Sequence, residues 1–450
     1  MPAALALLLL VGACGGGESE EPEETPSSSA PSAPTEEVSL ADGVTLPDTR
    51  VGEATAWVLD QLAADEGPSA EEARERFAEA FLAEVPAEQV AAVFDQLRAG
   101  GPYVIEGYDG SEDAAQLPLA AANGRLLLQV ATDADGRMTT LFFQATRPVP
   151  DVASLADLDA ALAGLDAETS VLVADGATCE PLHERESDVA RPIGSIVKLY
   201  VLDAVRQAVA DGTLAWDDTL TLTDDLRSLP SGTLQEEPAG HELSVREAAE
   251  LTISISDNTA TDLLIDAVGR EAVLAAVERL GHHDPGLLTP VVTTRELFQL
   301  AFTDRGLRER WAAADAAGRE EILAGLPGGE VAVDPALARD VVWTEGLDWF
   351  ATAQDLCRAH AALQETGDET VLGILALNPG IELPEEWEDV AFKGGSAPGE
   401  MAGSWYLGSG DGEGYAVVVQ IAATDAAAVP DAGWMAGVVG QTAGVLAEEE

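Results

Sequence analysis

Arg191-Pro192-Ile193-Gly194-Ser195-Ile196-Val197-Lys198 is the stretch on which the fold reading turns. It opens an apolar run to about Ala210 that reads as a helix with Ser195 at its N-terminus. The free N–H groups and the dipole at a helix start favour negative charge, which suits an oxygen nucleophile. Lys198 follows one turn later on the same face. An amine pressed among apolar side chains gives up its proton more readily and can then take the proton of Ser195. By itself, Ser-x-x-Lys describes a helix cap with a surface lysine equally well.

Composition changes that balance. The chain has 450 residues, with 81 acidic against 23 basic side chains and a formal charge of −58. Of the 23 cationic residues only Lys198 and Lys393 are lysines; the other 21 are arginines. Arginine serves wherever a surface cation is wanted, so the two lysines stand where a removable proton is needed. The acidic surface repels phosphates and anionic lipid heads, which makes nucleic acid a poor partner. No cofactor motif is present, and the five histidines (His183, His241, His282, His283, His360) show no metal spacing.

Two further stretches carry chemistry. The apolar helical segment 247–255 ends at Ser256-Asp257-Asn258. Such a turn holds Ser256 as a proton relay near Ser195 and leaves Asn258 to hydrogen-bond a substrate amide. Asp257 ties the turn to its own backbone. Far downstream, strand-like 389–392 leads into Lys393-Gly394-Gly395-Ser396. The glycines let a substrate backbone approach a strand edge, and Lys393 supplies a fixed positive charge. The backbone N–H groups of Ser195 and Ser396 would make an oxyanion hole.

Ser-x-x-Lys, then Ser-Asp-Asn, then a Lys-Gly-Gly in the place of Lys-Thr/Ser-Gly resembles the signature of class A β-lactamases and penicillin-binding proteins. The resemblance covers nearly all of 151–447. It implies an α+β fold: a five-stranded antiparallel sheet flanked by helices, plus an all-helical subdomain. Catalytic roles then fall to Ser195, Lys198, Ser256 and Lys393, and substrate binding to Asn258, Gly394, Gly395 and Ser396. Two departures stand out. Gly394 lacks the hydroxyl that helps hold a substrate carboxylate. The Glu-x-x-Leu-Asn loop that activates the deacylating water is also missing. Glu296 reads as part of a capping box and Glu345 is a weak substitute. An insertion-like stretch, about 305–349, has no readable role. There is no Gly-x-Ser-x-Gly elbow, which argues against an α/β-hydrolase.

Outward from this domain, residues 46–148 read as a small α+β unit: helices near 54–62, 69–81 and 87–98, then strands at 103–108, 116–121, 125–132 and 138–146. Ser69 with Glu72 is a capping box, with Ala73, Phe77 and Phe81 on one helical face. Asp133-Ala134-Asp135-Gly136 is a hairpin turn. The order resembles the cystatin-like or steroid-isomerase-like domain that precedes some actinobacterial β-lactamase-like hydrolases, and implies a brace or spacer. Residues 15–45, rich in Gly, Ser, Pro and Glu, read as a disordered acidic tether. Residues 1–14 resemble a lipoprotein signal ending in Cys14, though no Lys or Arg precedes Arg50. A lipid on Cys14 would hold the protein at the outer face of the cell membrane. Cys179, expected on a strand, and Cys357, expected on a helix, read as two free buried thiols, with a disulfide permitted by export.

The leading function is acyl transfer to water through a Ser195 acyl-enzyme, on a small β-lactam, ester or amide, with poor β-lactam turnover. A cell-wall D,D-peptidase acting on peptide is the alternative within the enzymes. A non-catalytic binding or sensing lipoprotein is the alternative outside them. The oligomeric state is not readable.

Overall fold

The structure, a computed structural model, describes residues 38–41, 43–121, 124–409 and 414–449. The apolar run near the start, Cys14 and residues 15–37 lie outside these. The described residues form two compact units divided between Pro148 and Val149.

The first unit runs β1 (Val38–Leu40), α1 (Arg50–Ala63), α2 (Ala70–Arg76), α3 (Glu79–Glu84), α4 (Ala87–Arg98), β2 (Tyr103–Ile105), β3 (Asp109–Gly110), β4 (Ala114–Ala121), β5 (Gly124–Thr132) and β6 (Met138–Thr146). The sheet order is β1-β2-β4-β5-β6, with β3 beside β4. Residues 115, 117 and 119 of β4 alternate inward, as a half-buried strand requires, and join Val58, Leu62, Phe77 and Phe94 in one core. Asp133 Oδ1 accepts the N–H groups of Asp135 and Arg137, which makes the expected hairpin turn between β5 and β6.

Two expectations are corrected here. The tether does not extend to residue 45, because Val38–Leu40 pairs parallel to β2 in the core sheet. Nor do Ala73, Phe77 and Phe81 share one helix. The Ser69–Glu72 capping box starts α2, but Phe77 is extended and bridges Met138 of β6, and Ala78 N–H donates to the Met138 carbonyl. A tertiary strand contact captures the backbone where the side-chain period alone would have continued the helix.

The second unit contains α5 (Leu155–Ala163), β7 (Glu168–Asp175), β8 (Pro181–Arg185), β9 (Arg191–Pro192), α6 (Lys198–Ala210), β10 (Thr219–Thr221), β11 (Glu242–Ser244), α7 (Val245–Ser254), α8 (Asn258–Val268), α9 (Arg270–Arg279), α10 (Thr294–Phe302), α11 (Arg305–Ala313), α12 (Ala316–Ala324), β12 (Phe350–Ala351), α13 (Ala353–Glu365), α14 (Glu369–Leu375), β13 (Trp387–Ala397), β14 (Glu400–Ser409), β15 (Gly414–Ala422) and α15 (Ala432–Glu449). Its main sheet is antiparallel with order β13-β14-β15-β7-β8, leaving β13 at an edge. The sheet is covered on both faces, so its central strands read as continuous apolar runs rather than alternating ones. Val171, Val173, Val417 and Val419 pack with α5 and α15, while Leu172, Ala174, Ala416 and Val418 pack with α6 and the other helices. The stretch 305–349 is not featureless. It forms α11, α12 and a 3-10 turn (Trp343–Glu345), with a small core in which Trp311, Val342 and Leu347 join Leu300 and Phe302 of α10.

The free-thiol reading of Cys179 and Cys357 is overturned. They form a disulfide, with Cα atoms 5.9 Å apart, across a separation of 178 residues. Cys179 sits in the turn after β7 rather than in a strand, and that turn lies over α13, which carries Cys357. No local pattern spans such a separation.

Candidate active site

The Ser195 helix does not open as an ordinary α-turn. Gly194–Val197 is a 3-10 turn, and Lys198 is the first residue of α6. Gly194 takes a positive φ of 47°, which glycine adopts without a Cβ penalty. Ser195 is half-buried.

Three elements meet at Ser256. Its hydroxyl lies 3.1 Å from Lys198 Nζ and 3.0 Å from Lys393 Nζ. Lys198 Nζ also reaches the Ser256 carbonyl at 2.6 Å and Asn258 Oδ1 at 2.7 Å. Lys393 Nζ donates to the Gly394 carbonyl at 2.8 Å. Both lysines are buried. Burial pulls Lys198 well below the ordinary amine range, and the neighbouring Lys393 pulls it further, against weaker attraction from Asp262 and Asp257. Burial alone brings Lys393 to about 7. Its charge is therefore not fixed, as the sequence reading held, but lost as pH rises past neutrality.

Two ammonium groups on one hydroxyl repel, so the pair sheds a proton early. Burial and repulsion both favour losing it from Lys198. A neutral amine there would keep two N–H bonds, which fit the Ser256 carbonyl and Asn258 Oδ1, and a lone pair able to take a proton.

The turn that holds Ser256 is tightly built. Ser256 has a φ of 58°, a conformation that costs an L-residue roughly 1–3 kcal/mol and needs support from its surroundings. Asp257 gives it: Oδ1 accepts Ala260 N–H at 2.8 Å as the cap of α8, and Oδ2 accepts Thr233 and Leu234 N–H at 2.7 and 2.8 Å. The backbone role read for Asp257 is what these contacts describe. Asn258 has contacts that the sequence reading did not foresee. Its Oδ1 faces Lys198 at 2.7 Å, and one of the two hydrogens on Nδ2 goes to the Leu229 carbonyl at 3.1 Å.

The Lys-Gly-Gly-Ser motif lies within β13, not after it. Gly395 has no room for a side chain: a Cβ would stand 2.0 Å from the Ile193 carbonyl oxygen and 2.6 Å from Ser195 N. Across the same contact, a Cβ on Gly194 would stand 3.0 Å from Ser396 N. Glycines on both sides let the backbones of Ser195 and Ser396 approach each other, as paired oxyanion donors must. The Ser396 residue itself is exposed. Gly394 belongs to the opposite pleat. There the Phe392 ring stacks on Trp405 with centroids 4.8 Å apart, and a Cβ on Gly394 would meet Phe392 Cζ at 2.9 Å. The missing hydroxyl is thus displaced by a ring.

Other candidates resolve into structural roles. Glu296 completes a capping box with Thr293 and pairs with Arg270 at 2.7 Å. Glu345 pairs with Arg308 at 3.1 Å. The fold does gather His282, His283 and Asp355, with potential ligand atoms within 4.8 Å of one another. The Asp355 carboxylate there already accepts Thr352 N–H, His283 N–H and Arg358. Burial pushes that carboxyl up, but hydrogen bonds from Thr352 and the His283 side chain, with the nearby His282, outweigh it and hold Asp355 at about 2. Sequence reading missed Asp348 and Glu400, which sit beside Gly194 in no recognisable motif.

Residues 155–335 match the family model described as "Beta-lactamase enzyme family". The second unit belongs to the β-lactamase-like serine hydrolases. Residues 46–138 match a second family model, described as "ORF 12 gene product N-terminal". The search of curated proteins returned no match. Among solved structures, a β-lactamase from Sphaerobacter thermophilus is similar at 22% identity, covering 67% of this chain and 98% of its own, with a TM-score of 0.47. A protein named PBP-A is similar at 16% identity, covering 68% and 100%, with a TM-score of 0.44. A β-lactamase from Chitinophaga pinensis is similar at 17% identity, covering 66% and 98%, with a TM-score of 0.46.

For this β-lactamase-like hydrolase the Phe392 ring makes a specific prediction. Gly394→Thr, which restores the usual hydroxyl, is expected to destabilise the protein by about 1–3 kcal/mol through overpacking. It should not speed reaction with a carboxylate-bearing penicillin. A lower denaturation midpoint with an unchanged penicillin labelling rate checks both parts.

Proposed function

We propose that the hydrolase unit cleaves an ester, amide or lactam through a Ser195 acyl-enzyme, and that it turns β-lactams over poorly. The observation that carries this reading is the Ser256 hydroxyl held between two buried amines, those of Lys198 and Lys393. Ser195 Oγ attacks the carbonyl carbon, and its proton passes to Lys198. The carbonyl oxygen gains the charge and meets the N–H groups of Ser195 and Ser396. The leaving group departs with a proton from Ser256 Oγ, which recovers one from Lys198. Water then cleaves the acyl ester, with the same amine as base. Glu296 and Glu345 are committed to Arg270 and Arg308, which supports slow β-lactam deacylation.

Peptide mass mapping after exposure to penicillin or a fluorophosphonate is expected to find the label on Ser195 and none on the Ser195→Ala protein. A folded wild type that takes no label would sink the reading. Nitrocefin, short acyl esters and a muramyl pentapeptide, tested in parallel, divide the substrate classes. Release of D-alanine would move the assignment to a cell-wall peptidase.

Among the described helices none is long and apolar enough to cross a membrane. We place the chain at the outer face of the cell membrane through a lipid on Cys14. Incorporation of labelled palmitate that survives in Cys14→Ser would refute this. The first unit, which contains neither of the chain's lysines, is read as a cystatin-like or steroid-isomerase-like brace. Unchanged reaction of the hydrolase unit after its removal would contradict a bracing role.

A further inference from the structure

Behind the Ser195 turn lies a pair of carboxyl groups that the proposed chemistry does not use. Asp348 follows the 305–347 stretch. Its Oδ1 accepts Gly194 N–H at 3.0 Å and Trp349 N–H at 2.6 Å. Asp348 is half-buried as a residue, with this carboxyl turned inward onto the nucleophile turn. Glu400 opens β14, opposite Ala397 in the hairpin that carries Ser396, and is only 3% exposed. Its Oε1 lies 3.0 Å from where a Cβ on Gly194 would stand. Among the described residues neither Glu400 oxygen meets an N–H or O–H donor. What it meets is the Asp348 carboxyl. Two carboxyl groups hydrogen-bond to each other only when one of them carries a proton.

The surroundings favour that proton. Burial raises Asp348 to about 6, although the Glu400 contact and the N–H groups of Gly194, Trp349 and Ile193 act against it. Burial and then repulsion from Asp348 raise Glu400 further. The titratable groups on neighbouring elements are occupied elsewhere: Lys198 and Lys393 at Ser256, and Glu345 on Arg308. Trp343 fixes the hairpin tip by donating its indole N–H to the Gly399 and Ala423 carbonyls, both at 3.2 Å.

We infer that Asp348 and Glu400 share one proton and act as positioning residues, clamping the Ser195 turn to the Ser396 hairpin so that the two oxyanion N–H groups keep a fixed spacing. The connection runs from Gly194 N–H through Asp348, the shared proton and Glu400 into β14, and by its register to Ser396 on β13. It rests on the acyl-enzyme reading for its consequence, though not for its chemistry. Two backbone donors on separate elements need such a tie, because a misplacement of about 1 Å costs roughly a hundredfold in rate.

The test uses the full chain and two measurements. The first is the rate at which a fluorophosphonate modifies Ser195. Glu400→Gln keeps the size of the side chain and offers Asp348 an amide N–H. It should react within about threefold of wild type, whereas Glu400→Ala, losing the tie, should fall by about a hundredfold. Asp348→Asn, which can still accept from Gly194 and donate to Glu400, should be rescued like Glu400→Gln. The second is infrared spectroscopy at neutral pH. A protonated-carboxyl carbonyl band should be present in wild type and absent in Glu400→Gln. Folded Glu400→Gln that is slowed as much as Glu400→Ala, or an unchanged infrared band, overturns the clamp. A wild type that is never labelled removes the acyl-enzyme reading instead, and the infrared band, which needs no substrate, still decides whether the proton is shared.

Discussion

Arginine in place of Lys198 is expected to slow modification of Ser195 by roughly a thousandfold, the scale on which a positioned general base acts. The guanidinium cannot give up its proton. It would also place a permanent charge where Lys198 Nζ now lies, among Ser256, Asn258 and the second amine. The pH dependence follows from the same geometry. A base works unprotonated, and Lys198 is held well below the ordinary amine value of 10.5. The wild-type rate should therefore rise with pH only up to that lowered value. Lys393 supplies the other limb: as pH rises through about 7 it loses the charge that polarises Ser256 Oγ, and the rate falls. The result is a bell whose two apparent constants belong to the pair rather than to either lysine. Stability moves in the opposite sense on the alkaline side. Between about 7 and the ordinary value of 10.5 the unfolded chain binds the Lys393 proton and the native one does not, so folding gains stability as pH rises across that window. Lys198→Arg should abolish the rising limb and remove the Lys198 share of the stability slope. A folded Lys198→Arg protein that reacts at the wild-type rate, or a wild-type rate still climbing past pH 9, would contradict the assignment of the base.

The side chains that meet at Ser256 could be singled out in the sequence because each motif is local. Ser195 and Lys198 sit one turn apart, Ser256 closes a helix, and Lys393 precedes two glycines in an edge strand. Central strands were legible too, since strands covered on both faces leave unbroken apolar runs such as 171–174, whereas the count of five came from the family resemblance. What escaped depends on contacts between distant segments. Phe77 ends α2 because β6 captures its backbone. Val38–Leu40 joins a sheet only because β2 offers an edge. The Cys179–Cys357 bond spans 178 residues. Nothing in the sequence shows Lys198 and the Leu229 carbonyl reaching the amide of Asn258. Asp348 and Glu400 carry no motif at all; only the meeting of two backbones at Gly194 and Gly395 gives them a shared task.

That meeting supports the second large effect. Gly395→Ala is expected to reduce the rate of Ser195 modification by roughly a hundred- to a thousandfold, the loss seen when one oxyanion donor is removed. The added Cβ would stand 2.0 Å from the Ile193 carbonyl oxygen and 2.6 Å from Ser195 N. Both are backbone atoms in a close-packed region, so no rotamer change relieves the contact, and β13 and the nucleophile turn must separate. Ser396 N, which flanks Gly194 across the same contact, moves away with the strand. Gly394→Ala offers the control. Its Cβ meets the edge of a ring at 2.9 Å on the opposite pleat and leaves the contact between the two backbones alone. It should lose stability with little change in rate. With any ester that the wild type turns over, Gly395→Ala should lower kcat and kcat/KM together, because the lost interaction exists only as charge develops on the carbonyl oxygen. A Gly395→Ala protein that raises KM alone would show that this strand edge binds substrate without stabilising the oxyanion.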